Sequence, residues 1–158
     1  MSLPANSISI RDADENDAES ILNLLEKLWA FEGEIPDAPM RVEDLRHLLK
    51  FDNQMRIILA QIGQQVVGLA QWGERVSIPL GGKNLWLWQL IVDEAHRGQG
   101  VGRALITELK RLSAVHGYKR IEFFVREDNP SAKNFYRSVE ARPTQQKERW
   151  IIAIQEPV

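Results

Sequence analysis

A glycine-rich segment is the part of the chain best suited to bind a charged ligand. Residues 97–102 read Arg-Gly-Gln-Gly-Val-Gly, between an apolar run, Leu85–Val92, and an amphipathic stretch, Val101–Val115. A strand–loop–helix unit of this kind turns several backbone N–H groups toward one point at the positive end of a helix, where a phosphate can bind. The glycines could also simply form a tight turn, so this segment alone does not decide between the two.

The glycine spacing argues against two common nucleotide-binding motifs. A Walker loop needs Lys and then Ser or Thr after its last glycine, whereas Arg103 and Ala104 follow Gly102. A dinucleotide fingerprint reads G-x-G-x-x-G near the start of a long βαβ array. Here the spacing is G-x-G-x-G, and too little chain follows to complete such a sheet.

A second segment, after the next predicted strand, makes the loop specific. It reads Asn129-Pro-Ser-Ala132-Lys-Asn-Phe135-Tyr136. Together with Arg97-x-x-Gly100-x-Gly102 it resembles the motifs of the GNAT superfamily of acetyl-CoA-dependent N-acetyltransferases, which read Arg/Gln-x-x-Gly-x-Gly/Ala and Asn-x-x-Ala-x-x-x-Tyr. The resemblance is sharp over residues 84–139, and we expect one acetyltransferase-like domain over residues 1–158.

The resemblance implies which residues would bind acetyl-CoA. Backbone N–H groups of the loop would hold the pyrophosphate, and an N–H near Leu90 or Ile91 would face the thioester oxygen. Arg103 would add positive charge near the phosphates or lie as a solvated surface residue. Asn129 would contact the pantetheine or cap the helix that follows it. The full set implied is Leu90, Ile91, Val92, Arg97, Gly98, Gln99, Gly100, Val101, Gly102, Arg103 and Asn129, with no metal ion.

The reaction implied is direct attack of a primary amine on the thioester through a tetrahedral intermediate. The thiolate leaving group benefits from a proton donor, and Tyr136 matches the family's general acid. A tyrosine here could instead pack the last helix. Many relatives carry Gly-Phe a few residues later where this chain has Glu140-Ala141, so we expect the end of this helix to be built differently.

No general base is identified. A lysine-like amine is about 0.04% neutral at pH 7, a penalty of roughly 4–5 kcal/mol. Gln89 stands at a strand position where many relatives carry a glutamate, and an amide cannot accept the proton. The acidic residues of the broken segment after the first helix could border the acceptor site or form a solvated loop. These residues are Glu32, Glu34 and Asp37, and Glu122 is an outside candidate.

Two tryptophans, Trp86 and Trp88, lie on one face of the predicted cofactor strand, opposite Leu85 and Leu87. They could form the wall of an acceptor pocket for an apolar or aromatic amine. They could also pack in the core, which is the commoner role of a tryptophan. The sequence leaves both alternatives open.

Apolar periodicity predicts the elements that position these residues. Alternation predicts strands at Ser7–Arg11, Arg56–Ile62, Gln65–Ser77, Leu85–Val92, Arg120–Arg126 and Gln146–Gln155. Helical spacing predicts helices at Asp14–Trp29, around Val42–Leu49, at Val101–Val115 before a Gly117 C-cap, and at Asn129–Val139. The fold class is therefore α+β. The resemblance implies an α/β/α layered, mostly antiparallel mixed sheet, with helices on both faces and a V-shaped splay between the strands at 85–92 and 119–126.

Composition limits the classes of function. The 158 residues carry a net charge of −2, which gives no support to a nucleic-acid-binding surface. The apolar runs are too short to span a bilayer, and Met1–Ser7 lacks the features of a signal peptide. Cysteine is absent, which excludes disulfides and thiol nucleophiles. We expect no nucleic-acid or membrane partner and, by default, the cytoplasm.

Three classes of function remain, and the third, a different kind of nucleotide-binding domain, would bind ATP or NAD rather than CoA. The leading hypothesis is an N-acetyltransferase acting on a small molecule, peptide or protein. The alternative is a non-catalytic acyl-CoA-binding sensor or interaction domain, which Gln89 and Glu140-Ala141 favour. The acceptor, the range of acyl groups and the oligomeric state, with a homodimer as one alternative, are not fixed by the sequence.

Overall fold

The computed structural model describes residues 7–34, 36 and 38–144. The chain divides into two compact units, Met1–Phe124 and Val125–Val158. The first contains strands β1 (Ile8–Asp12), β2 (Arg56–Ile62), β3 (Gln65–Ser77), β4 (Gly82–Val92) and β5 (Ile121–Glu122), with helices α1 (Ala18–Glu32), α2 (Val42–Phe51) and α3 (Val101–His116). The second contains α4 (Pro130–Ser138).

The strands form one mixed sheet in the order β1-β2-β3-β4-β5. β1 to β4 are antiparallel neighbours, and the predicted hairpin between β2 and β3 is confirmed. β5 runs parallel to β4 and pairs with it only at Leu85–Ile121 and Trp86–Glu122. Beyond Trp86 the outer edge of β4 has no strand partner among the described residues, which matches the predicted splay.

One predicted strand is much too long. Alternation predicted a strand over Arg120–Arg126, but only Ile121 and Glu122 belong to the ladder. An alternating sequence has two distinct faces whether or not a neighbouring strand is close enough to pair. The pairing partner, and not the alternation, therefore sets the length of β5. The predicted strand Gln146–Gln155 lies outside the described residues.

Helices cover both faces of this sheet, as predicted. On one face, residues of α1 and α2 such as Ile21 and Leu45 form a core with Leu69 and Ile91 of the sheet. On the other face α3 buries the apolar stripe that includes Leu105. The C-cap predicted for α3 is confirmed, since its end is closed by a left-handed glycine (φ 69°). No helix in the described part of the chain is long and apolar enough to cross a membrane.

The start of α1 is tied to the edge strand by an ion pair. The two terminal guanidinium nitrogens of Arg11 donate to the carboxylate of Asp17, each at 2.7 Å. The hydrogen bond from Arg11 holds the pKa of Asp17 below its usual value, although burial opposes the shift. This contact fixes the helix whose far end reaches the candidate site.

Candidate active site

The glycine loop follows β4 and leads directly into α3. Gly98 and Gly100 have φ values of 74° and 87°, in the left-handed region that favours glycine. A Cβ added at either position would meet nothing within 4 Å, so the backbone can be approached closely from outside. The Ala104 N–H donates to the Gly100 carbonyl at the start of α3 (2.9 Å). The first N–H groups of a helix in general have no acceptor within the helix. This arrangement suits an anionic ligand.

The side chain of Arg97 braces the loop. Its Nε donates to the carbonyl oxygen of Val92 (3.2 Å), and its guanidinium lies 5.2 Å from the centre of the Phe31 ring. The amide of Gln99 donates to the carbonyl oxygen of Ala95 (3.2 Å). Two of the predicted cofactor residues thus use their side chains to hold the shape of the loop.

Asp93 joins three elements just before the loop, and sequence reasoning missed it. Its carboxylate accepts from Lys27 of α1 (2.8 Å) and contacts His96 Nδ1 (3.0 Å). Its backbone N–H donates to the Val67 carbonyl of β3 (2.8 Å). The hydrogen bond from Lys27, with that from His96, holds the pKa of Asp93 below its usual value.

Gly68 of β3 lets α3 start close to the sheet, and it too was missed. A Cβ at Gly68 would lie 2.9 Å from the carbonyl oxygen of Ile91 and 3.0 Å from Cγ1 of Val101. Contacts this short exclude a side chain unless the helix or the strand moves. An isolated glycine inside a predicted strand is the sequence signal for such an approach.

The strand residues predicted to bind the thioester lie where β4 has lost β5. Leu90, Ile91 and Val92 pair with β3 on their inner side. Successive N–H groups of a strand point to opposite sides, so one of the Leu90 and Ile91 N–H groups faces the open edge. The edge therefore offers a backbone donor of the kind that an oxyanion requires.

A cavity of about 710 Å³ lies between α1 and the end of β4. Its lining includes Leu28 and Phe31 from α1, and Ile91, Val92 and Arg97 from the predicted cofactor residues. The volume is in the range of small-molecule sites. The structure thus brings the cofactor strand and the loop together with the first helix.

Asn129 and Tyr136 belong to α4 in the second unit. The Asn129 side chain accepts from the Ala132 N–H (2.9 Å), so the capping role is observed. Burial raises the pKa of Tyr136 to about 12. Its hydroxyl is protonated at neutral pH, as that of an ordinary tyrosine also is, and burial makes it a weaker acid than an exposed tyrosine.

The end of α4 corrects one expectation. The helix end was expected to be built differently because Glu140 stands where many relatives carry a glycine, yet Glu140 adopts the left-handed conformation (φ 71°) that a glycine would favour. The Ala141 N–H donates to the Tyr136 carbonyl (3.0 Å), which closes the helix. The helix end therefore uses the glycine-type geometry without the glycine, at a cost of about 1 kcal/mol in backbone strain.

The candidates for the general base are scattered. Gln89 is half-buried and pairs with Gln71 of β3. Glu122 forms ion pairs with Arg120 and, at 3.9 Å, with Arg75. Glu32 is the last residue of α1, Glu34 follows it, and Asp37 lies outside the described residues.

The two tryptophans do not behave as core residues. Trp88 is 50% exposed, so core packing is wrong for this side chain. Trp86 is half-buried, whereas Leu85 and Leu87 of the opposite face are fully buried. The exposed face of β4 is therefore the aromatic one.

Comparison with known proteins identifies the family. The model of the acetyltransferase (GNAT) family matches residues 18–139. The chain is 24% identical over 152 residues to a thialysine N-epsilon-acetyltransferase of Bos taurus, covering 90% of this chain and 89% of the relative. It has a TM-score of 0.78, at 20% identity, with an aminoglycoside acetyltransferase from an uncultured soil metagenomic sample in complex with sisomicin, covering 94% of this chain and 97% of that chain.

A further structural neighbour is a transcriptional regulator from Bacillus halodurans C-125, with a TM-score of 0.79 at 22% identity, covering 92% of this chain and 100% of that chain. These structural likenesses show the shared fold. The family model spans most of the chain, including the glycine loop and α4. By that match, and with the sheet and loop that accompany it, this chain is a member of the GNAT family of acetyltransferases.

Proposed function

We propose that this protein transfers an acetyl group from acetyl-CoA to a primary amine. The observation that carries the proposal is the loop with left-handed Gly98 and Gly100, which opens the N-terminus of α3 to an anion. It lies directly after β4, whose outer edge is unpaired beyond Trp86 in the described chain. A phosphate-bearing group at the loop would leave an extended arm free to run along that edge.

Each group then has a defined task. Backbone N–H groups from Gln99 to Arg103 hold the pyrophosphate. The outward N–H of Leu90 or Ile91 stabilises negative charge on the thioester oxygen. As the amine nitrogen bonds to the carbonyl carbon and the C–S bond breaks, Tyr136 donates its proton to the departing sulfur. The proton lost by the amine nitrogen passes to water, and the Tyr136 phenolate takes a proton back from water.

The acceptor is proposed to be a small-molecule amine. Two similar proteins are named for such substrates, thialysine and an aminoglycoside.

Thiol release from acetyl-CoA over a panel of primary amines tests the proposal. The chain contains no cysteine, so a thiol reagent detects only released CoA. We expect saturable release above the hydrolysis rate with at least one amine.

The loop is tested by Gly100→Val. A side chain there is strained at φ 87° and holds a ligand away from the backbone, so we expect CoA affinity to fall about 100-fold or more. Gly117→Val is the matched control, since it places the same residue at a left-handed position (φ 69°) at the other end of α3. Wild-type CoA affinity in Gly100→Val would overturn the role given to the loop.

A binding protein without turnover is the second candidate function. Gln89, which cannot act as a base, is the observation that favours it. Saturable acetyl-CoA binding with no amine raising thiol release would support this alternative over the enzyme.

A further inference from the structure

An exposed aromatic surface lies on the part of the sheet that α1 and α2 leave uncovered. It consists of Trp86 and Trp88 of β4 and Phe124, which follows β5, and we name it the aromatic face. Trp88 is 50% exposed and Phe124 is 69% exposed. The rings of Trp86 and Phe124 meet edge to face, with their centres 5.1 Å apart. Large rings held in the open beside a predicted reaction site need an explanation.

The backbone is shaped to hold Trp88 in this position. Gln71 pairs with Gln89 but the next residue, Trp72, pairs with Leu87, so Trp88 is the extra residue of a β-bulge. Bulges redirect side chains and are common next to active sites. The opposite strand carries Gly73, where a Cβ would lie only 2.6 Å from Cζ3 of the indole. The indole of Trp88 therefore rests on the backbone of Gly73, and any side chain at that position would displace it.

The aromatic face lies within reach of the predicted thioester position. At about 3.3 Å per residue, Trp88 is ~7 Å and Trp86 ~13 Å along the strand from Leu90. An amine that attacks beside Leu90 could therefore lay the rest of its molecule across Trp88 and then Trp86. The spacing suits an acceptor with a body of about 10 Å.

The charges around these rings disfavour a polycation. The guanidinium of Arg75 lies 4.7 Å from the centre of the Trp86 ring and so occupies the place of a cationic ligand. Glu122 is the carboxylate paired with both Arg75 and Arg120. Arg75 therefore already supplies a cation at the Trp86 ring. Apolar and aromatic contact is what the rings themselves offer.

We propose that the aromatic face binds the body of the acceptor and selects primary amines carried on an aromatic or extended apolar group. The proposal rests on the proposed acetyl transfer and specifies its substrate class. It narrows the small-molecule amine of the proposed function to one whose body is aromatic or apolar.

Acceptor kinetics test the specificity. We expect the wild-type kcat/KM for phenethylamine and tryptamine to exceed that for spermidine. We expect Trp88→Ala to lower the kcat/KM for phenethylamine and for tryptamine about 10-fold. The kcat/KM for ethylamine should change little in Trp88→Ala, because ethylamine is too short to reach the ring. Gly73→Ala, which displaces the indole, gives the same pattern. Phe51→Ala is the control, because it removes a 63% exposed ring from α2, away from β4.

A binding measurement separates this proposal from the proposed function. With CoA present, phenethylamine should shift the indole N–H signal of Trp88, assigned in the nuclear magnetic resonance spectrum by its loss in Trp88→Phe. If no amine gives thiol release, that result contradicts the proposed acetyl transfer but not the binding of amines to the aromatic face. Spermidine preferred over phenethylamine, an equal loss for all amines in Trp88→Ala, or no saturable indole shift would each overturn the aromatic-face proposal.

Discussion

Tyr136 keeps its proton for a physical reason that can be measured. Burial raises its pKa to about 12, whereas an exposed tyrosine titrates near pH 10. A raised pKa means that the folded state favours the protonated form. Its contribution to stability is therefore complete below about pH 10 and is lost as the pH rises toward 12.

The phenolate titration of the folded protein checks this assignment. The chain has two tyrosines, and burial also raises the pKa of the other, Tyr118, with a further rise from its hydrogen bond to Glu74. We expect Tyr136→Phe to remove the transition near pH 12 and Tyr118→Phe to leave it in place. The titration is read only where circular dichroism shows the native fold. A Tyr136 that ionises near pH 10 would contradict the burial argument.

In turnover, the same Tyr136→Phe variant should lower kcat by about 10²-fold or more, because the departing sulfur loses its proton donor. Its Kd for CoA should stay within about threefold of the wild type, since the hydroxyl acts only as the bond breaks. Tyr118→Phe again serves as the control. An unchanged kcat would remove Tyr136 from the mechanism.

Single residues show where sequence reasoning reaches its limit. The loop glycines were predictable because the left-handed conformation strongly favours glycine, a preference that belongs to the residue itself. The exposure of Trp88 could not be predicted, because it depends on a bulge in β4 and on Gly73 of the neighbouring strand β3. Asp93 was missed for a similar reason, since its partner Lys27 lies 66 residues away.

At the level of elements, Gly68 sets how closely α3 approaches the sheet. Gly68→Ala would place a methyl group 2.9 Å from the Ile91 carbonyl of β4 and 3.0 Å from Cγ1 of Val101, so β4 or the start of α3 must shift. We expect a loss of about 1–3 kcal/mol in the free energy of unfolding. Because α3 begins at the loop, CoA affinity should also fall, by about 10-fold. Chemical denaturation and CoA titration measure the two effects.

Gly82→Ala is the matched control for this change. Its added methyl group meets only the flexible side chain of Lys119, at 3.1 Å, at the opposite end of β4. We expect both stability and CoA affinity to stay near the wild type. Lower stability in Gly68→Ala with unchanged CoA affinity would show that Gly68 serves the fold and not the loop.

The elements themselves were predicted unevenly, and partner distance explains the difference. The bounds of β2 and β3 were predicted correctly, since a hairpin pairs residues that are neighbours in sequence. The length of β5 was predicted wrongly, because its partner β4 lies about 35 residues earlier and diverges after Trp86. Local alternation carries no information about where a distant strand turns away.

At the scale of the whole molecule, ligand binding should appear as stability. A ligand that binds only the folded chain at 100 times its Kd adds about 2.7 kcal/mol to the free energy of unfolding. For a chain of 158 residues this corresponds to a rise in Tm of about 5–11 °C. We expect CoA to give this rise in a thermal denaturation experiment.

ATP and NAD, at the same concentration, are the comparison ligands. The loop lacks the lysine and hydroxyl of a Walker motif and the spacing of a dinucleotide fingerprint, so both should raise Tm by much less than CoA. Gly100→Val should abolish the rise with CoA, whereas Gly117→Val should keep it. An equal rise with ATP or NAD would mean that the loop binds phosphate without selecting coenzyme A. Selection would then have to come from the edge of β4 beyond Trp86, which has no strand partner in the described part of the chain and can pair with the extended arm of a ligand.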